Sequence, residues 1–326
     1  MAIDPEVKDL LAITYSHLEK LKHPPLHELT PNHSRFFYKK WIRIFSHVPV
    51  EGVRVTQHTL SRAQADLSLR IYTPSGAGPF PILIYYHGGG WVLGDLDSSE
   101  NICLLIASHS RSIVISVDYR LAPEHPYPQP VEDALDAVQW TFNHATQLGG
   151  DATRISVGGE SAGANLAAVV AILARDAKGI SLHSQLLITP VTNYNFDTPS
   201  YIENPSPNLT RERMMWFWNH YLEHPSHGFE PYASPLLISD ASLLPPALIA
   251  TAEFDPLRDE GRAYATLLAD AGVPVTFHHF KGLVHSFIYM TAHSLAAKNA
   301  FHRILSSWSD MIHPGKPPNL YKESPA

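Results

Sequence analysis

The chain has 326 residues, 44% of them hydrophobic and 17% charged, which is enough apolar material for one large globular domain or two smaller ones. A formal charge of −7 and a pI near 6.3 argue against a nucleic-acid binder, which would carry a basic face. No apolar run approaches the roughly 20 residues that span a bilayer, so no membrane span is expected.

The opening Met1-Ala2-Ile3-Asp4-Pro5 lacks the basic flank and apolar centre of a secretory leader. Cys103 is the single cysteine, so no internal disulfide can form, and its neighbours Ile102, Leu104, Leu105 and Ile106 mark it as a buried structural thiol. These features point to a soluble, cytoplasmic protein. The histidines show no H-E-x-x-H and no metal-ligand spacing, so no metal is expected.

In chain order, Pro5 to Lys20 reads as an amphipathic helix, with Val7, Leu10, Leu11, Ile13 and Leu18 near a 3.6 period, ended by Pro24-Pro25. A second helix follows from Ser34 to Phe45, dense in aromatics: Phe36, Phe37, Tyr38, Trp41 and Phe45. A packed helix and a lid over an apolar pocket are both open readings of it. The period then changes to two. Val53 to Leu60 and Leu67 to Tyr72 read as strands, and Phe80 to Tyr86 as a strand buried on both faces. A helix from Ser99 to Ser108, a strand from Ser112 to Val117 and a helix from Val131 to Leu148 come next. Then follow the strand at Arg154 to Val157, the helix from Ala164 to Ala174 and a strand from His183 to Thr189. The strands at Ala247 to Ala252 and Val275 to Phe280 flank a helix from Glu260 to Ala271, and a last helix runs from Ala296 to Ile312. Strands alternating with helices give an α/β fold whose mostly parallel sheet is covered on both faces. Between Pro190 and Leu237 the alternation breaks. There is one helix there, Thr210 to Leu222, with Thr210 as its cap and Met214, Met215, Trp216, Phe217 and Trp218 along it. An insertion of that length inside an α/β domain is usually functional.

Four stretches carry chemistry. Gly159-Glu160-Ser161-Ala162-Gly163 lies between a strand and a helix, the context that turns a G-x-S-x-G pentapeptide into a nucleophile elbow. The pentapeptide alone arises by chance in about one such chain in ten, so its flanks decide. Ser161 Oγ is expected to stand exposed at the carboxyl edge of the sheet, with a helix N-terminus pointing at it. His87-Gly88-Gly89-Gly90-Trp91 follows the buried strand, and three glycines leave backbone N–H groups free for an oxyanion hole. His87 is expected to shape that loop and not to act as the base. Asp255, just past the strand ending at Ala252 and before Pro256, can orient a histidine; Glu253 and Asp259 are its rivals. His285, in Gly282-Leu283-Val284-His285-Ser286-Phe287 after the last strand, is the candidate base.

At these residues the chain resembles the hormone-sensitive-lipase-like family of α/β-hydrolase esterases, from about Tyr15 to Ile312. The matching pieces are His87-Gly88-Gly89-Gly90-Trp91, Asp118 to Glu124, Gly159 to Gly163 with Asn165, Asp255 to Gly261, and His285-Ser286-Phe287. The resemblance implies Ser161 as nucleophile, Asp255 as acid, His285 as base, and oxyanion donors from the backbone of Gly89, Gly90 and Ala162. It also implies a helical cap built from residues 1–50 and 191–237 over a hydrolase core of residues 51–190 and 238–313, with residues 314–326 as a tail. Asp118 to Glu124 would brace the site. Many family members have Asp or Thr where this chain has Glu160, which leaves the subfamily open. The function so read is hydrolysis of short- to medium-chain carboxylic esters through an acyl-enzyme, without cofactor or metal. Trp91, Phe36, Met214, Trp218 and Val284 are the candidate substrate-binding residues. The partner is a small-molecule ester, with a homodimer plausible. Two alternatives stand beside it: a non-catalytic ligand-binding receptor on the same fold, and an amidase or arylformamidase using the same triad.

Overall fold

The computed structural model describes residues 2–20, 24–45, 48–63, 65–177, 179–203 and 208–315. The side chains of Leu18 and Phe45, and the tail past Gly315, lie outside the described residues. Eight strands form one sheet in the order β1-β2-β4-β3-β5-β6-β7-β8. They are β1 (Val53–Leu60), β2 (Leu67–Pro74), β3 (Phe80–Tyr86), β4 (Ile113–Val117), β5 (Gly150–Glu160), β6 (Gln185–Ile188), β7 (Ala247–Phe254) and β8 (Val275–Val284). β2 pairs antiparallel with both β1 and β4, and every other pairing is parallel. This is an α/β-hydrolase fold: a mostly parallel sheet flanked by helices.

The helices are α1 (Pro5–Lys20), α2 (Pro31–Phe45), α3 (Glu100–Ser110), α4 (Gln129–His144), α5 (Ala162–Asp176), α6 (Pro199–Glu203), α7 (Arg211–Tyr221), α8 (Arg258–Asp270) and α9 (Leu295–Ile312). Because side chains alternate along a strand, β3 feeds two cores at once. Ile82, Ile84 and Tyr86 belong to a core shared with α4, α5 and α8, while Leu83 and Tyr85 belong to one shared with α1, α3 and α9. That two-sided cover explains why all seven residues of β3 are buried. Cys103 is buried in the second core, where burial pushes its thiol up to about 12.

Some expectations shift. Ile13 is 69% exposed, because at 100° per residue it lies far around α1 from the buried Val7 and Leu11. β6 stops at Ile188, since Thr189 turns into the left-handed region at φ 44°. β8 continues to Val284 past an irregularity opposite Ala252 to Phe254. The insertion holds α6 as well as α7; five residues are too few for a helical period to show.

Candidate active site

The elbow forms where β5 ends and α5 begins. Ser161 has φ 57° and ψ −120°, a strained conformation for a residue with a side chain. The chain can turn there because the Tyr86 carbonyl at the end of β3 fills the angle. A Cβ on Gly163 would lie 2.0 Å from that oxygen, and one on Gly159 2.4 Å from it. Only glycine fits both positions. Ser161 N–H donates to the Ile188 carbonyl at 2.9 Å, which locks the turn to β6. Ser161 does stand at the carboxyl edge of the sheet. It is not open to solvent, however: it is only 6% exposed, because protein covers that edge.

Three side chains meet in series. His285 Nε2 is 3.0 Å from Ser161 Oγ, and His285 Nδ1 is 2.8 Å from Asp255 Oδ2. Asp255 is fixed in turn by the Leu257 N–H, which donates to its Oδ1 at 2.9 Å. The rivals are engaged elsewhere. Glu253 accepts from the Gly282 N–H at 2.8 Å, and Asp259 accepts from the Ser200 N–H at 2.8 Å and pairs with Arg258 at 2.7 Å. Burial alone would lower the proton affinity of His285, but the Asp255 carboxylate outweighs it and Glu160 adds to it, so the net shift is upward. Glu160 is buried beside them. Its Oε1 accepts from Ser286 Oγ at 2.7 Å and lies 3.5 Å from His285 Nε2. Burial raises its carboxyl above the usual range, against the pull of His285.

The glycine loop faces this row. Gly89 (φ 117°) and Gly90 (φ 60°) both occupy backbone conformations closed to most residues. Ala162 is the first residue of α5, where N–H groups have no intrahelical acceptor. Among the described residues, none of these three N–H groups donates to a backbone carbonyl. The loop is braced from behind. His87 Nδ1 donates to the Gly88 carbonyl at 2.8 Å, and its ring stacks on Tyr119 at 4.3 Å. Tyr119 OH donates to the His87 carbonyl at 2.7 Å, and Ala122 N–H to the Trp91 carbonyl at 2.9 Å. Among the described residues no hydrogen bond or ring contact joins His87 to Ser161. Asp133, fully buried, accepts from Arg120 and from Arg62 and holds the Asp118 to Glu124 segment.

The candidate substrate-binding residues fall differently. Trp91 and Trp218 have no accessible surface and Met214 almost none. Trp91 stacks on Tyr221 at 4.0 Å and meets Trp218 at 4.6 Å. Val284 is likewise buried, paired with Phe254 at the end of the sheet. All four are thus buried in this structure. Phe36 is 54% exposed, packed edge-on against Phe37 with the Lys40 ammonium 4.3 Å from its ring centre. Three further residues border the site: Phe217, one of the aromatics named along α7, and Arg35 and Asn208, which no sequence signal marked. The Phe217 ring rests on Gly90 so closely that a Cβ there would be 2.2 Å from it. Arg35 of α2 donates to the Val92 and Ala122 carbonyls, each at 2.8 Å, and pairs with Glu124. Asn208 donates its side-chain amide to the His285 carbonyl at 2.6 Å. The 3.6-residue period could have paired Phe217 with the glycine loop only if the orientation of α7 were known.

Among the described residues no group of three or more His, Cys, Asp and Glu could hold a metal ion, and no helix is long and apolar enough to cross a membrane. A cleft of about 820 Å³ lies at the opposite edge of the sheet, among Gly52, Pro74, Gly78 and Gly150, away from Ser161.

A strand, a serine in a strained turn and a helix, set at the carboxyl edge of a mostly parallel sheet, define an α/β hydrolase. The sequence pattern of the alpha/beta hydrolase fold matches residues 83–289. Carboxylesterase NlhH of Mycobacterium tuberculosis is 42% identical over 253 residues, covering 76% of this chain and 79% of that protein. Ethyl acetate hydrolase of Pseudomonas putida is 34% identical over 296 residues, covering 89% and 93%. The solved structure of a hyperthermophilic esterase from Pyrobaculum calidifontis superposes with a TM-score of 0.89 at 36% identity, covering 96% of this chain and all of that one. The chain belongs to the hormone-sensitive-lipase-like family of α/β-hydrolase esterases.

Proposed function

We propose that the protein, a serine carboxylesterase by kinship, hydrolyses its esters with Ser161 as nucleophile, His285 as general base and acid, and Asp255 as the group that orients His285. The observation that carries this reading is the unbroken hydrogen-bonded row from Ser161 through His285 to Asp255. His285 takes the proton as Ser161 Oγ attacks the ester carbonyl. The N–H groups of Gly89, Gly90 and Ala162 receive the oxyanion. His285 then protonates the leaving alcohol, and water releases the acyl group by the same steps. The complete row favours hydrolysis over ligand binding alone. Ser161→Ala should cut turnover by about 10⁴ to 10⁶, and a fluorophosphonate probe should label the wild type but not the variant. Near-wild-type turnover in Ser161→Ala would end the assignment. Matched ester and amide substrates separate an esterase from an amidase or arylformamidase.

Short to medium acyl chains are the proposed substrates. Phe217 closes over Gly90, and Trp91, Trp218 and Tyr221 fill the space behind with no accessible surface. A p-nitrophenyl ester series should peak among the short acyl chains and fall as the chain lengthens. Residues 1–50 and 191–237 are read as the cap over the hydrolase core, with α2 and α7 as the helices that touch the glycine loop. A reducing, cytoplasmic setting fits a lone buried thiol. A homodimer is a proposal carried by the family resemblance; among the described residues no further strand pairs with β8 at its end of the sheet, and light scattering tests it.

A further inference from the structure

Arg213 stands near the start of α7, where its backbone N–H donates to the cap residue Thr210. Its Nη1 donates to the Asn208 carbonyl, and its Nε is buried without a partner. Among the described residues no carboxylate lies within ion-pair distance of it. A guanidinium has five donors and is expensive to desolvate unless an anion answers it. Among the described residues Arg35, Arg62, Arg70, Arg120, Arg154, Arg175, Arg211 and Arg258 all have one; Arg54, Arg111, Arg262 and Arg303 have none but are exposed to water, whereas Arg213 is partly buried.

Its position relates to the chemistry in two ways. Arg213 and Phe217 are four residues apart and share one face of α7, and Phe217 rests on Gly90 of the glycine loop. The Asn208 that receives Arg213 also donates to the His285 carbonyl, so the guanidinium is tied through one residue to the loop that holds the base. Its charge opposes protonation of His285, behind the larger effects of burial and of the two carboxylates. Tyr15 of α1 lies near enough that the same charge partly offsets the effect of burial on its phenol. Arg213 is therefore on the His285 side of the site. That is the side to which the alcohol departs, because His285 Nε2 delivers the proton to the leaving oxygen.

Resting on the esterase reading above, we propose that Arg213 is an anion subsite for the leaving group, and that the favoured substrates are esters whose alcohol portion carries a carboxylate. The carboxylate supplies the missing partner, and the guanidinium fork holds the alcohol in line with His285.

The test uses the full chain and a matched pair, 4-acetoxybutyrate and 4-acetoxybutyramide, which differ in charge and little in shape. The ratio of their kcat/KM values should favour the anion by about ten- to a hundredfold, the worth of one charge-assisted hydrogen bond. Arg213→Gln should bring the ratio to about one or below, and Arg213→Lys should restore part of it. If Arg213→Gln does not fold, the wild type still decides. Its preference should shrink as salt is added, and glutarate should compete with the amide substrate. A merely structural Arg213 would change both substrates alike, so an equal ratio in wild type and Arg213→Gln overturns the proposal. A preference for ethyl hydrogen succinate over ethyl butyrate without one for 4-acetoxybutyrate overturns it too. If the wild type hydrolyses none of these esters, the esterase reading itself has failed.

Discussion

Glu160 Oε1 lies 3.5 Å from His285 Nε2, the same nitrogen that faces Ser161 Oγ at 3.0 Å. A second carboxylate therefore borders His285, on the side away from Asp255. Glu160 raises the proton affinity of His285, which in the proposed mechanism must be neutral to take the proton of Ser161. Removing that charge should let the base lose its proton more easily. The expected outcome for Glu160→Gln is an acid limb of the kcat/KM profile displaced toward lower pH, with turnover at neutral pH reduced about tenfold as the imidazolium loses support. A profile unmoved from wild type, with the same loss of turnover, would reduce Glu160 to a packing role. The sign for stability runs with the raised affinity of His285: its contribution is full below the ordinary histidine range and is lost as pH rises through the raised value.

Arg35 ties α2 to the segment behind the glycine loop through the Val92 and Ala122 carbonyls. Its pairing with Glu124 holds that carboxyl down to about 2. Glu124 is half exposed, however, so water screens the pair and the ion pair itself adds little. The two carbonyl bonds matter more. Arg35→Lys keeps the charge but loses the fork, and should lower kcat several-fold with a stability loss of about 1–2 kcal/mol. Glu124→Gln should do much less. Equal effects of the two substitutions, measured by steady-state kinetics and thermal melts, would contradict this ranking.

The strands were legible in the sequence because burial on two faces writes a continuous apolar run, as in Phe80 to Tyr86, and because β2 alternates over Leu67 to Ile71. The catalytic candidates were legible for a related reason: Ser161, Asp255 and His285 each follow a strand directly, so local pattern fixes which edge they share. Asp255 stands ahead of Glu253 and Asp259 by its place just past a strand and before Pro256, while its 2.8 Å contact with His285 Nδ1 is a distance no pattern contains. Arg35 was invisible because its partners lie 57 and 87 residues away. The cap aromatics could be read as aromatic but not as lining or core. Phe217 and Trp218 are neighbours in sequence, yet 100° of helix turn sends one to Gly90 and the other behind Trp91.

Gly163 is the least replaceable residue of the elbow. The atoms a new Cβ would strike are the Tyr86 and His87 carbonyl oxygens, at 2.0 and 2.5 Å, and both belong to backbone that cannot swing aside. Gly163→Ala should destabilise by more than about 4 kcal/mol and abolish fluorophosphonate labelling of Ser161. Gly149→Ala is the comparison. Nothing lies near its Cβ position, and only its φ of 78° opposes a side chain, so about 1 kcal/mol is expected. Thermal melts of the two variants that fell together would show that the elbow tolerates backbone movement.

Asp133 anchors the Asp118 to Glu124 segment, which reaches the glycine loop through the Ala122 N–H on the Trp91 carbonyl. It is fully buried, and it accepts the Arg120 N–H at 2.8 Å, the Arg120 guanidinium, and Arg62 Nη1 at 2.6 Å. Burial alone would raise its carboxyl, but the two guanidinium groups outweigh burial and hold it below the ordinary aspartate range. Asp133→Asn keeps the shape and removes the charge. Arg62 and Arg120, both mostly buried, then lose their central counter-charge, which costs about 3–5 kcal/mol. Melting temperature should fall by about 5–15 °C at neutral pH. Because the folded-state affinity is depressed, the wild-type advantage is complete above the unfolded aspartate range and disappears as pH falls through the depressed value. The gap in melting temperature between wild type and Asp133→Asn should therefore close in strong acid, and a gap independent of pH would assign the loss to packing rather than charge.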